Sequence, residues 1–167
     1  MRKSFAVVFL VAGLLVAQTA PKKTATSGAK SKTAKPAATL VTPDTVNWGD
    51  APAVFPPGAK MAVLSGNPGG AGPFVVRLKT PDGYKIMPHW HPTNENVTVI
   101  SGEFHVGMGD KWQDAGMAAL PAGSFASVSA HHNHYGVAKG ETVVQVSAMG
   151  PFKLVYVNPA DDPSKKK

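Results

Sequence analysis

From Leu40 onward, apolar residues alternate with polar ones in short runs, each closed by glycine, proline or asparagine. The runs are Lys60–Ser65, Phe74–Lys79, Tyr84–His91, Glu95–Ser101, Glu103–Met108, Ala115–Leu120, Ser124–Ser129, Tyr135–Ala138, Thr142–Ala148 and Phe152–Val157. A period of two places alternate side chains on one face, so each run predicts a half-buried β-strand. Between them stand turn-forming breakers such as Pro81-Asp82-Gly83, Pro121-Ala122-Gly123 and Lys139-Gly140. No stretch carries a helical period. Many short strands so punctuated predict an all-β sandwich or barrel. Ahead of them, Val46, Trp48, Val54 and Phe55 are separated by proline and glycine and predict an irregular arm packed on that barrel. The tail from Asn158, with Pro159, Pro163 and three lysines, is expected to fray.

The same alternation assigns faces to the polar residues. His89 and His91 are two apart and project together, while Trp90 points away. Pro92, Thr93 and Asn94 break the strand, and Glu95 opens the next one. Glu95 shares a face with Val97 and Val99, so it points inward, where an unpaired carboxylate is costly. Two imidazoles and a carboxylate on neighbouring strands can converge on one point, which suits a first-row transition metal. One strand on, Phe104, Val106 and Met108 lie opposite Glu103 and His105, which places His105 outside.

These residues carry a resemblance. The spacing Gly83-x5-His89-x-His91-x3-Glu95-x6-Gly102 matches the first signature of the cupin superfamily at every fixed position. The second cupin signature, Gly-x5-Pro-x-Gly-x2-His-x3-Asn, is matched in part. Gly123 and His134 fit, whereas Ser129, His131 and Ala138 stand where proline, glycine and asparagine are expected. A register that instead uses Pro121 and Gly123 as the Pro-x-Gly pair puts Ala126 at the ligand position, so the register that keeps His134 is preferred. Two other arrangements stay open: the cluster His131-His132-x-His134 binding metal differently, and His132 taking the place of His134. An exposed turn is the preferred reading for His131 and His132, although the missing glycine leaves the geometry of that turn open. From Pro43 to Pro163 the chain is similar to a group of small exported bacterial cupins. The tripeptide Gly-Pro-Phe occurs at 72–74 and again at 150–152, too short to count as a repeat.

The resemblance implies a single-domain double-stranded β-helix, the jelly-roll barrel of cupins. It also implies one divalent metal (Fe, Mn, Ni, Cu or Zn) held by His89, His91, Glu95 and His134, with Glu95 able to carry a proton as well. Met87, Val97, Val99, Phe104, Val106 and Met108 are the expected pocket walls, so the expected ligand is a small apolar or aromatic molecule. Open metal positions suit a dioxygenase- or oxidase-like oxidoreductase. The alternatives are a non-catalytic metal- or ligand-binding sensor domain and, more weakly, a sugar isomerase or epimerase, for which no His/Tyr acid–base pair is evident. Cupins also pair through their sheets, which implies a homodimer.

Charge and composition alter this picture only at the ends. The 167-residue chain carries a formal charge of +7. Ten of its seventeen basic residues lie at Arg2, Lys3, Lys22, Lys23, Lys30, Lys32, Lys35 and Lys165 to Lys167, so residues 40–164 hold seven basic against ten acidic side chains and are net −3. No basic face remains to attract nucleic acid. The start Met1-Arg2-Lys3-Ser4 followed by apolar Phe5 to Ala17 reads as a secretory signal, cleaved near Ala17 or Ala20, with an uncleaved membrane anchor as the alternative. That implies a periplasmic or extracellular protein with no stable membrane span once processed. Cysteine is absent, so neither disulfides nor a lipid-modified cysteine are available. The expected layout is a signal peptide at 1–20, an Ala/Lys/Thr-rich disordered linker at 21–42, a cupin barrel at 43–162 and a basic tail at 163–167.

Overall fold

The computed structural model describes residues 38–166; the signal-peptide reading and most of the linker reading lie outside them. Among the described residues, nine strands form one continuous antiparallel sheet: β1 (Gly49–Asp50), β2 (Lys60–Ser65), β3 (Gly72–Thr80), β4 (Lys85–Trp90), β5 (Glu95–Met108), β6 (Ala118–Pro121), β7 (Phe125–Val128), β8 (His134–Gly150) and β9 (Val155–Tyr156). The only helical pieces among the described residues are three 3-10 turns. None is long and apolar enough to cross a membrane.

Two long strands organise the barrel. The runs Glu95–Ser101 and Glu103–Met108 join into β5, and Tyr135–Ala138 and Thr142–Ala148 join into β8. The two pair from Glu95↔Ala148 to Met108↔His134, with register shifts on either side of Ser101. Those shifts bend the ribbon and reverse its inward face, so Val97 and Val99 are buried before the bend and Phe104 after it. The first half of β5 pairs with β7 and the second half with β6. Likewise β8 pairs with β4 near its start and with β3 near its end. Each long strand therefore serves both walls of the barrel, and the sheet closes around Phe74, Val76, Ile86, Val97, Val144 and their neighbours.

The arm is fixed by two buried tyrosines. Tyr84 Oη donates to Pro56 O at 2.6 Å and Tyr156 Oη to Val54 O at 2.9 Å, which holds Phe55 against the core. Burial pushes both phenols up, Tyr156 to about 12. The tail differs from the fraying expected of it. Asn158 and Asp162 each cap a 3-10 turn, accepting from Ala160 N and Ser164 N, with proline at the first helical position of each.

Candidate metal centre

β4 carries His89, and His91 follows directly after its end. A register shift between Ile86 and His89 places one extra residue in β4 against β8, a bulge centred on Met87 and Pro88. Pro88 has no N–H to contribute to the ladder, so it sits there at little cost. The bulge turns Ile86 and His89 to the same side. His134, the first residue of β8, pairs directly with His89, and Glu95 enters from the start of β5 on the other wall. All four side chains are buried, with His89, His91 and His134 at 5%, 4% and 5% exposure.

The three imidazoles are held alike. Nδ1 of His89 donates to Met87 O at 2.8 Å, Nδ1 of His91 to Lys153 O at 2.7 Å, and Nδ1 of His134 to His132 O at 3.0 Å. A carbonyl oxygen only accepts, so each neutral ring carries its proton on Nδ1 and presents the Nε2 lone pair inward. Ring centroids stand 4.2 Å apart for His89–His134, 4.9 Å for His89–His91 and 5.2 Å for His91–His134. One ligand atom from each histidine lies within 4.8 Å of the others, a group that fits a metal ion. Glu95 Oε2 approaches to 3.2 Å from His134 Nε2 and 3.6 Å from His91 Nε2. Yet Nε2 of both histidines is buried without a hydrogen-bond partner. Acceptors crowded together in a mostly apolar cavity call for a cation.

The electrostatics agree with that demand at two of the three rings. Burial, reinforced by the neighbouring imidazoles, lowers His89 to about 3. Burial also lowers His91. For His134, burial opposes the charge, but the adjacent Glu95 carboxylate outweighs it and holds the ring above its ordinary value. Burial likewise opposes the charge on Glu95, and the three histidines outweigh it and keep the carboxyl below the ordinary range.

The other histidines lie elsewhere. His131 and His132 are exposed. His131, standing where the second signature has glycine, adopts the left-handed conformation (φ 63°) that glycine would supply. Its N–H donates to His91 O at 2.8 Å, and its ring packs 4.9 Å from Trp90. His105 is outside the cavity and pairs with Glu103.

The site opens into a cavity of about 500 Å³. Of the expected wall residues, Val97, Phe104 and Val106 line it. Val99 is packed in the core at 1% exposure rather than on the wall. Met87 does not reach the cavity because the bulge gives its place to Ile86. Met108, the last residue of β5, stands 56% exposed. Alternation alone did not reveal several further wall residues, among them Pro52, Val54 and Phe55 from the arm and Phe152 and Leu154 after β8. Phe152 stacks on His91 with centroids 4.3 Å apart and meets Phe74 edge-on at 5.2 Å. The recurring Gly-Pro-Phe was the signal for that pair, since Gly72 and Gly150 are register partners and bring both phenylalanines to one wall.

A closed double-stranded β-helix with three inward histidines at its centre defines a cupin. The chain belongs to the family described as "Domain of unknown function (DUF4437)", whose model matches residues 17–155. No curated protein matches it. Among solved structures it is similar to the polyketide cyclase RemF from Streptomyces resistomycificus, at 15% identity and a TM-score of 0.62 over 75% of this chain and 89% of that one. It is also similar to a putative acetylacetone dioxygenase from Methylibium petroleiphilum PM1, at 23% identity and 0.59 over 78% and 88%. An acetylacetone dioxygenase from Acinetobacter johnsonii matches at 17% and 0.56, over 72% and 78%.

Proposed function

We propose that this cupin holds one divalent transition metal on His89, His91, His134 and Glu95 and acts as an oxidoreductase on a small apolar or aromatic molecule. The observation that carries the reading is the convergence of three Nδ1-anchored imidazoles, with lone pairs inward, on one point beside a carboxylate. The donor set is mixed nitrogen and oxygen, which suits Fe, Mn, Ni, Cu or Zn. When bound, such a metal supplies Lewis acidity and open positions for a chelating substrate. The residues do the rest. The backbone carbonyls of Met87, Lys153 and His132 fix the rings, and the apolar walls exclude water. Glu95 is placed to take up or return a proton at Oε2 beside His134. The names of two structural neighbours, one an acetylacetone dioxygenase and the other a putative one, support an oxygen-using reaction.

Metal analysis of protein purified without an affinity tag is the first test, with about one ion per chain expected. Oxygen uptake by the Fe(II)-loaded protein follows, over a panel of small enolisable and aromatic compounds beginning with acetylacetone. Tag-free protein that neither retains nor takes up metal would sink the metal reading. Full metal with no oxygen uptake across the panel would leave a binding domain instead of an oxidoreductase.

Metal affinity is also expected to fall on acidification. In the metal-free protein His134 is held above its ordinary value of 6.5, so it is the ring whose proton a metal must displace. His89, lowered to about 3, stays neutral and does not compete. Each displaced proton weakens binding about tenfold per pH unit below that group's pKa. A Zn(II) titration at about pH 7.5 and about pH 5.5 measures this. Equal affinities at the two would contradict it.

A further inference from the structure

The cavity holds one cluster of polar side chains. Apart from His89, His91, Glu95 and His134, its side-chain lining among the described residues is apolar except for Tyr135 and Lys153. Tyr135 Oη is already engaged, donating to Gln113 O at 3.3 Å. Lys153 is exposed at the rim and turns its carbonyl to His91. Everything else is hydrocarbon wall, for example Val76, Ile86, Val97, Phe104, Val144 and Phe152. A sugar or other polyol would bury hydroxyls with no partner there, which excludes it as a good ligand. The polar cluster has its own requirement. Three neutral imidazoles and one carboxylate leave a divalent ion with a net charge of +1, and a buried net charge is best cancelled by its ligand.

We propose that the natural ligand is an amphipathic monoanion. Its oxygen-chelating head, a carboxylate or enolate, sits at the metal, and its alkyl or aromatic body fills the cavity. This rests on the metal-site reading above. A cavity of about 500 Å³ falls in the range that encloses a drug-sized molecule, so the body is large enough to dominate recognition.

The test uses the full chain loaded with redox-inert Zn(II), titrated by calorimetry with straight-chain carboxylates from butanoate to dodecanoate. Affinity is expected to rise about fourfold per added methylene, the increment for burying one CH2 group, and then to level off when the cavity is full. Gluconate, a hydroxylated monoanionic chelator, is expected to bind at least about a hundredfold more weakly than decanoate, its hydroxyls being left unpaired. Ala126→Leu, which adds bulk to the wall, is expected to move the levelling point to a shorter chain. The matching n-alkanols on metal-stripped protein separate the two parts of the argument, since they report the hydrocarbon cavity without the head. Zn(II) binding with no chain-length dependence overturns the inference and leaves the metal site standing. A chain-length slope for alkanols with no Zn(II) binding overturns the metal reading and the monoanionic head with it. Gluconate equal to decanoate overturns the inference outright.

Discussion

His134→Ala is expected to lower metal affinity by at least about a hundredfold, while His132→Ala leaves it within about twofold. His134 is buried beside Glu95 with its Nε2 unpartnered, and its ring lies 4.2 Å from that of His89. Removing it deletes a donor that nothing nearby replaces. The imidazole of His132 is exposed, and that residue serves the site through its carbonyl, which accepts from His134 Nδ1. Alanine keeps that carbonyl. Competition with a chromophoric chelator gives both constants, and urea unfolding of each metal-free variant shows whether the barrel survives. The opposite ranking, with His132→Ala losing metal and His134→Ala keeping it, would move the site to the exposed turn and refute the arrangement.

The second large effect concerns the two glycines that frame the first signature. Gly102→Ala is expected to cost roughly 3 kcal/mol or more, combining left-handed strain with overpacking. Gly102 has φ 76°, and a Cβ there would lie 2.5 Å from Glu141 O and 2.8 Å from Thr142 Cα, both backbone atoms. Thr142 cannot yield, because it is fully buried and its hydroxyl bonds Glu103 O at 3.0 Å. Gly83 also has a left-handed φ, 71°, but nothing lies within 4 Å of where its Cβ would go. Gly83→Ala is therefore expected to cost only about 1 kcal/mol, the conformational penalty alone. Urea denaturation of both metal-free variants measures the difference. Equal losses would mean that the crowding at the bend of β5 has no energetic weight.

The contrast between these glycines indicates what a spacing pattern carries. Both positions were legible as fixed points of the signature, and both turn out to need a left-handed backbone. Only the pairing of β5 with β8 brings Glu141 and Thr142, about forty residues away, against Gly102. A pattern marks where the chain must bend. It does not reveal what the bend is pressed against.

Much of the barrel was written in local alternation. Period two put Val97, Val99 and Phe104 inside and Trp90 off the face of His89 and His91, because side-chain direction along a strand depends on the strand alone. The spacing of His89, His91 and Glu95 followed for the same reason. Alternation failed where the count slipped. One extra residue between Ile86 and His89 exchanged Met87 for Ile86 at the cavity, and nothing local distinguishes a bulged strand from a regular one. The choice of His134 over its neighbours rested on a family spacing. The physical ground for it, the register pairing of His89 with His134, exists only once β4 and β8 meet. The same holds for the arm and for Phe152, which become cavity walls through contacts made across the fold. Local alternation was enough for most of the strands, most of their buried faces and three of the four inward polar groups, since each depends on neighbours along the chain. Only contacts across the fold fixed the shape of the cavity, the anchoring of His91 by the Lys153 carbonyl and the crowding at Gly102, since each depends on atoms supplied by distant segments.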